Sequence, residues 1–228
     1  MDEAGTAILI HLHAVMHERA LRAADIQLGQ AVAAIKDYQH RRFAHTYADL
    51  MVQPRYASAT QFFLNDLYGP ADYSERDRQF IRIVPAMVRL FPSEIVQTVR
   101  HLGALHALSE QLDTAMARAL VDSPLSHAAY AQSWRTTSMA DREQQITWML
   151  RVGSDLDRYT RKPLLRQSLR LMRGPAQAAG LADLQRFLET GFDTFREMRG
   201  SSEFLAIIGQ RERQLAAMLF AGASNALF

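Results

Sequence analysis

Apolar residues recur at alternating steps of four and three through the first 45 residues of the chain. Ile10, Ala14, His17, Leu21, Ala24, Leu28, Ala31, Ile35 and Tyr38 form an unbroken 3/4 seam, the spacing that keeps one stripe of a helix against a partner. Arg19, Arg22, Lys36 and Asp37 lie off that seam, and its alternate layers are alanine, so a partner helix can approach closely. The pattern predicts one long helix from residue 4 to about residue 51, or two collinear ones.

Helical spacing continues almost to the end, punctuated by breaks. Pro54 ends the first segment, because the residue before a proline is pushed out of the α region, and Gly69-Pro70 ends the second. Ser74 with Asp77 resembles a capping box and starts a third helix, and Pro92-Ser93-Glu94 starts a fourth that runs to about Val121. Asp122-Ser123-Pro124 opens a short fifth helix, since proline suits a first turn, and Ser138 with Asp141 opens a sixth. Thr160 to Pro163 interrupts that helix and leaves a seventh ending at Met172. Gly174-Pro175 and Gly180 read as a loop, followed by helices over 182–198 and 202–219 with Gly200-Ser201-Ser202 between them. Ile81-Arg82-Ile83-Val84 alternates too briefly for a strand. The expected fold is a single all-α domain spanning 1–228, a bundle of about seven to nine helices with a long N-terminal one.

Composition narrows the chemistry. The 228 residues are 48% hydrophobic and 22% charged, ordinary values for a globular chain long enough to bury its own core. Lys+Arg 26 against Asp+Glu 24 leaves a formal charge of only +2, so net charge says little about partners. There is no cysteine, which excludes disulfides, thiolate nucleophiles and cysteine-ligated metals. Met1-Asp2-Glu3 is acidic where a signal peptide is basic, and no apolar run approaches the ~20 residues of a membrane span. A soluble, cytoplasmic protein is the expectation.

The least generic stretch lies between Pro54 and Arg89. Aromatic residues, two Gly/Pro breaks and a dense alternation of acid and arginine meet there, and a local departure from generic pattern marks function or strain. Arg78, Arg82 and Arg89 fall within about 40° of one another on a helical wheel. Such arginines suit an anion or carboxylate; they equally suit an ion-pair lattice with Asp66, Asp72, Glu75 and Asp77. The candidate ligand-binding residues are Arg55, Tyr56, Tyr68, Asp72, Arg76, Arg78 and Arg82, and the candidate ligand is a small anion.

All eight histidines lie between residues 11 and 127. His13 and His17 are i,i+4, as are His106 and Glu110. These pairs, with His101, are the candidate ligands for a divalent metal, and His101 or His106 for a haem axial position. Against them stands the absence of any HExxH or repeated ExxH pattern, so no cofactor is the first expectation. No nucleophile elbow, P-loop or dinucleotide fingerprint appears, and no carboxylate pair is diagnostic of an enzyme.

Arg158, Arg161, Lys162, Arg166, Arg170 and Arg173 form the densest positive stretch, with leucines on another face. It reads as the outer helix of a bundle paired with Glu189, Asp193 and Glu197, or else as a binder of an anionic lipid or nucleic acid surface. The lack of interleaved aromatics argues against nucleic acid. Leu215, Met218, Leu219 and Phe220 lead to an apolar tail, Ala226-Leu227-Phe228, which makes a homodimer plausible.

Tyr38-Gln39, Arg42-Phe43, Thr46-Tyr47, Asp49-Leu50, Pro54-Arg55-Tyr56, Phe62-Phe63-Leu64, Asp66-Leu67-Tyr68-Gly69-Pro70, Asp72 and Arg76-Asp77 resemble an uncharacterised proteobacterial family with an FFLxxLYGP-type motif. Phe204-Leu205 to Arg211-Glu212 is similar too. The resemblance implies bacterial origin and carries no activity with it, so no residue role is transferred. The expected function is a non-catalytic ligand-binding or protein-interaction module, with a haem or metal protein and an anionic-surface binder as alternatives.

Overall fold

The computed structural model describes residues 3–67, 73–120 and 124–222, and among them there is no strand. In chain order the helices are α1 (Glu3–Ala24), α2 (Ile26–Thr46), the short α3 (Ala48–Met51), and α4 (Ala57–Phe62), which runs into a π turn at Phe63–Leu67. Then come α5 (Ser74–Leu90), α6 (Ser93–Arg118), α7 (His127–Trp134), α8 (Met139–Thr160), α9 (Pro163–Leu171), α10 (Arg173–Ala178), α11 (Ala182–Glu197) and α12 (Ser202–Phe220). The all-α body with a long N-terminal helix is the one expected.

The N-terminal seam does not run unbroken. Asp25 leaves the helix in an extended conformation, and its side chain accepts a hydrogen bond from the Leu28 amide at 3.0 Å, so a new helix begins at Ile26. An aspartate N-cap satisfies one of the amides that a fresh helix start exposes. Downstream of the cap the expected stripe holds, with Leu28, Ile35 and Tyr38 buried. Upstream it is rotated. Ile10 is 61% exposed and His17 is exposed, while Ile8, Leu12 and Val15 make the buried face. Both sets step by four and three, and only the break decides which phase packs.

Other boundaries differ by one mechanism each. Ser138 caps α8 as expected, accepting from the Asp141 amide. Ser74 does not cap α5: it is the first helical residue, and its hydroxyl accepts from Arg19 at 3.2 Å. The start of α7 is set by Ser126, whose hydroxyl takes the Ala129 amide, rather than by the Asp122-Ser123-Pro124 segment, of which Asp122 and Ser123 lie outside the described residues. Gly174 and Pro175 stand inside α10 instead of in a loop, the proline falling within its first turn.

The central element is α6, which touches α1, α2, α5, α7 and α8. Three apolar clusters surround it. The first gathers Phe43, Tyr47, Phe62, Phe63, Phe195 and Phe204. The second gathers Leu28, Ile35, Tyr38, Tyr130, Trp134 and Leu219. The third gathers Ile8, Leu12, Phe80, Val84 and Leu184. Two glycines let α8 and α12 cross closely. A Cβ on Gly153 would lie 2.7 Å from Leu205 Cδ2, and one on Gly209 would lie 2.8 Å from Leu150 Cδ1. Among the described residues no helix is long and apolar enough to cross a membrane.

Candidate functional site

On α6 a glycine at 103 and polar residues at 106, 110 and 113 follow a 3-4-3 spacing that aligns Gly103, His106, Glu110 and Asp113 on one face. That face points inward. It borders a cavity of about 120 Å³ bounded by α1, α2, the π turn, α5, α8 and α11. Apolar walls come from Leu12, Phe80, Met149, Leu184 and Phe187. Leu67, Leu102 and Leu105 add to that apolar wall, and among these residues stand charged and polar side chains that cross between helices.

Two layers of ion pairs stand along α6. In the first, Asp77 of α5 accepts from Arg19 of α1 at 2.8 Å and lies 3.0 Å from His106 Nε2. Burial alone would raise the Asp77 carboxyl, but His106, Arg19 and Arg76 outweigh it and hold the group below its ordinary range. In the second, Glu110 receives Arg22, which also donates to the Glu110 carbonyl at 2.6 Å, and Lys36 at 2.8 Å. Burial again opposes its charge, yet Lys36 and Arg22 bring its pKa down to about 2. Asp113, one turn on, behaves in the opposite way. Its Oδ1 accepts from Gln39 at 3.0 Å, and Lys36 reaches its Oδ2 only at 3.9 Å. Full burial and the neighbouring Glu110 push the Asp113 carboxyl up.

Arg76 closes the far end. Its guanidinium lies 4.1 Å from the ring centre of Tyr73 and 4.5 Å from that of Phe187. It donates to the Asp66 carbonyl of the π turn at 3.1 Å, and its contact with Asp77 is a long 3.8 Å. Burial disfavours its charge by more than Asp77 and Tyr73 restore.

The structure disperses the residues that the sequence grouped. Arg76 lines the cavity. Arg55 and Tyr56 sit elsewhere, on the turn between α11 and α12. Arg55 donates to the Met198 and Gly200 carbonyls at 3.0 and 3.1 Å, and both residues bond Glu203. That turn holds Arg199 and Gly200 at φ 53° and 120°, a left-handed pair that needs fixing from outside. Arg78 makes an exposed pair with Glu75. Arg82 donates to the Ala179 and Gly180 carbonyls at 2.9 and 2.8 Å, closing the end of α10. Tyr68 and Asp72 lie outside the described residues. Phe62 and Phe63, which sequence places beside the arginines, are core.

The histidines are similarly scattered. His13 and His17 are exposed on α1. His101 is half-buried with Nδ1 unpaired, and burial, then Arg151 and Arg100, lower its pKa. His106 and Glu110 share the cavity face but are engaged by Asp77 and by Arg22 and Lys36, and among the described residues no three His, Asp or Glu side chains converge to hold a metal. In the basic stretch, Arg166 pairs with Asp193 at 2.8 Å and Arg173 with Glu189 at 2.6 Å. Arg158, Arg161 and Lys162 hold Asp155, Asp157 and Glu94.

Sequence reasoning missed Arg19, Arg22, Lys36, Gln39 and Asp113. Arg19, Arg22 and Lys36 were placed only as lying off the apolar seam. The available signal was the polar 3-4-3 face of α6, of which the His106–Glu110 step was noticed and Asp113 was not.

These features define a class: a helical protein with an ionic cavity built along one face of its central helix. Residues 18–226 match a family model described as a domain of unknown function, DUF8198, and the chain belongs to that family. No curated protein and no solved structure matches it.

Proposed function

We propose that this protein binds a small acidic molecule in the α6 cavity, with Arg76 as the anion anchor. The observation that carries the reading is the state of Arg76. Arg19, Arg22 and Lys36 each have a carboxylate at hydrogen-bond distance. Arg76 is half-buried between two aromatic rings, with its nearest carboxylate oxygen 3.8 Å away on a residue already held by Arg19 and His106. A ligand carboxylate would supply the two-pronged partner that a guanidinium fork suits. The reading concerns binding and assigns no reaction.

A cavity of about 120 Å³ fits a short-chain acid and is too small for a porphyrin, which weighs against the haem alternative. The alternative of an anionic-surface binder through residues 158–173 is weakened by the acids that already pair with Arg158, Arg161, Lys162, Arg166 and Arg173. Bacterial origin, from the FFLxxLYGP-type motif, and a cytoplasmic homodimer stay part of the proposal, and sedimentation velocity reads the dimer directly.

The test is isothermal titration with pentanoate, acetate and inorganic phosphate, on the wild type and on Arg76→Met. Pentanoate should bind the wild type, and R76M should weaken it at least tenfold. Without ligand, R76M should melt at about the wild-type temperature, because relief of a poorly compensated charge offsets the loss of its bond to the Asp66 carbonyl and its long contact with Asp77. An R76M protein that loses more than about 5 °C in Tm, over 1 kcal/mol at this size, would show Arg76 to be a brace for the π turn. Equal pentanoate affinity in both proteins, or no binding of any of the three anions, would end the proposal.

A further inference from the structure

The cavity has a second end, and its chemistry is opposite. Asp113 is 8% exposed and lines the cavity on α6, beyond Glu110. Glu110 is saturated by cations, but Asp113 is not: its Oδ2 has Lys36 no nearer than 3.9 Å, and its hydrogen bond on Oδ1 comes from a neutral amide, Gln39. Lys36 is turned away from it by the 2.8 Å bond to Glu110. A buried carboxyl in this position is pushed toward its neutral form by burial and by Glu110, as the Arg76 charge is disfavoured at the other end. Arg76 and Asp113, one basic and one acidic, thus border one cavity with their charges poorly compensated, and Asp66, whose carboxyl burial also pushes up, lines it too.

Resting on the reading of Arg76 as an anion anchor, we infer that the ligand is a zwitterion, with a carboxylate for Arg76 and an ammonium for Asp113 several bonds away. Such a ligand relieves both ends at once and adds no net charge to a buried site, which a simple carboxylate would do at a cost. The separation follows from the helix. His106, tied to the residue next to Arg76 by its 3.0 Å contact with Asp77, is two turns from Asp113, and seven residues of α-helix rise about 10 Å. An α-amino acid, whose two charged groups are attached to one carbon, is too short. In an extended ω-amino acid of five carbons the ammonium nitrogen and the carboxylate carbon are five bonds apart, about 6 Å at about 1.25 Å of advance per bond, with about 3 Å for a hydrogen bond at each end. Leu12, Phe80 and Met149 provide apolar wall for the methylenes between.

The experiment compares 5-aminopentanoate with pentanoate at pH 7.5, by titration calorimetry of the full chain and of Asp113→Asn. The wild type should bind the amino acid at least tenfold more tightly than pentanoate. D113N keeps the side chain's shape and its bond to Gln39, so it should bind the two equally, at the wild-type pentanoate affinity. If wild-type protein takes pentanoate as well as the amino acid, or if D113N keeps the preference, the zwitterion is wrong while the anion reading survives. If neither compound binds, this inference falls, and the anion reading falls with it when acetate and phosphate also fail to bind. Should D113N fail to fold, the wild-type comparison of the two compounds decides alone.

Discussion

Glu110→Ala should cost about 3–5 kcal/mol of folding stability at pH 7, the scale for removing one partner of a buried ion pair. Glu110 is 3% exposed and is the shared anion for Arg22 and Lys36, with Arg19 3.6 Å away. Its loss strands those cations at the contact of α1 and α2 with α6. Urea unfolding at pH 7 measures the cost. The pH dependence gives a second check with a definite sign. The folded carboxyl titrates at about 2 against an ordinary 4.5, so the unfolded state binds the proton first on acidification. The stabilisation is therefore complete above about pH 5 and is lost as pH falls toward 2. At about 1.4 kcal/mol per pK unit it amounts to about 3 kcal/mol. Asp113 opposes part of this loss, because its raised folded pKa makes the native state bind protons more readily as pH falls. E110A should accordingly be far less stable than the wild type at pH 7 and should approach it only as pH falls below about 2. A pH-independent difference between the two proteins would show that Glu110 acts by packing and not by charge.

That network explains what could and could not be read from the chain. Local chemistry was legible: the Ser138 cap, the interruption before Pro163 and the extents of α11 and α12 follow from residues within a few positions of one another. The phase of α1 was not, because Ile8/Leu12/Val15 and Ile10/Ala14/His17 fit the same 3.6-residue period, and the Asp25 cap that separates α1 from α2 went unread as a break. The cavity was hidden for a different reason. Lys36 and Glu110 are 74 residues apart, and Arg22 and Thr114 are 92 apart. Each charge viewed alone belongs in water; only as a set, with every partner in reach, does burial become tolerable. The residues singled out between 54 and 89 serve separate ends. Arg55 and Tyr56 fix the α11–α12 turn, Arg82 ends α10, and Arg76 alone of the described candidates enters the cavity.

The second large effect lies outside the cavity, where Arg42 of α2 meets Glu212 of α12. The pair is two-pronged, at 2.5 and 3.2 Å, and Tyr47 donates to the same carboxylate at 2.7 Å. Arg42 and Glu212 are 3% and 7% exposed. Burial works against the Arg42 charge, but Glu212 and the nearby tyrosines more than offset it and raise its pKa. Arg42→Met alone should cost about 3–5 kcal/mol, because it leaves Glu212 buried with only the Tyr47 hydroxyl, and Glu212→Leu should cost as much by stranding the guanidinium. The double variant R42M/E212L should recover most of the loss. The pair is imperfect, since Arg42 Nε has no partner among the described residues, and Phe43 and Tyr47 on one side and Tyr38 and Leu215 on the other offer apolar surroundings for the replacements. Tyr47 would then turn to the Ile208 carbonyl, now 3.5 Å away. A double-mutant cycle by urea unfolding gives the coupling directly. Additive losses would mean that the two charges are stabilised by their separate surroundings. A strong coupling with near wild-type stability in the double variant would mean that the pair sets the register of α12 against α2 without being the source of their stability.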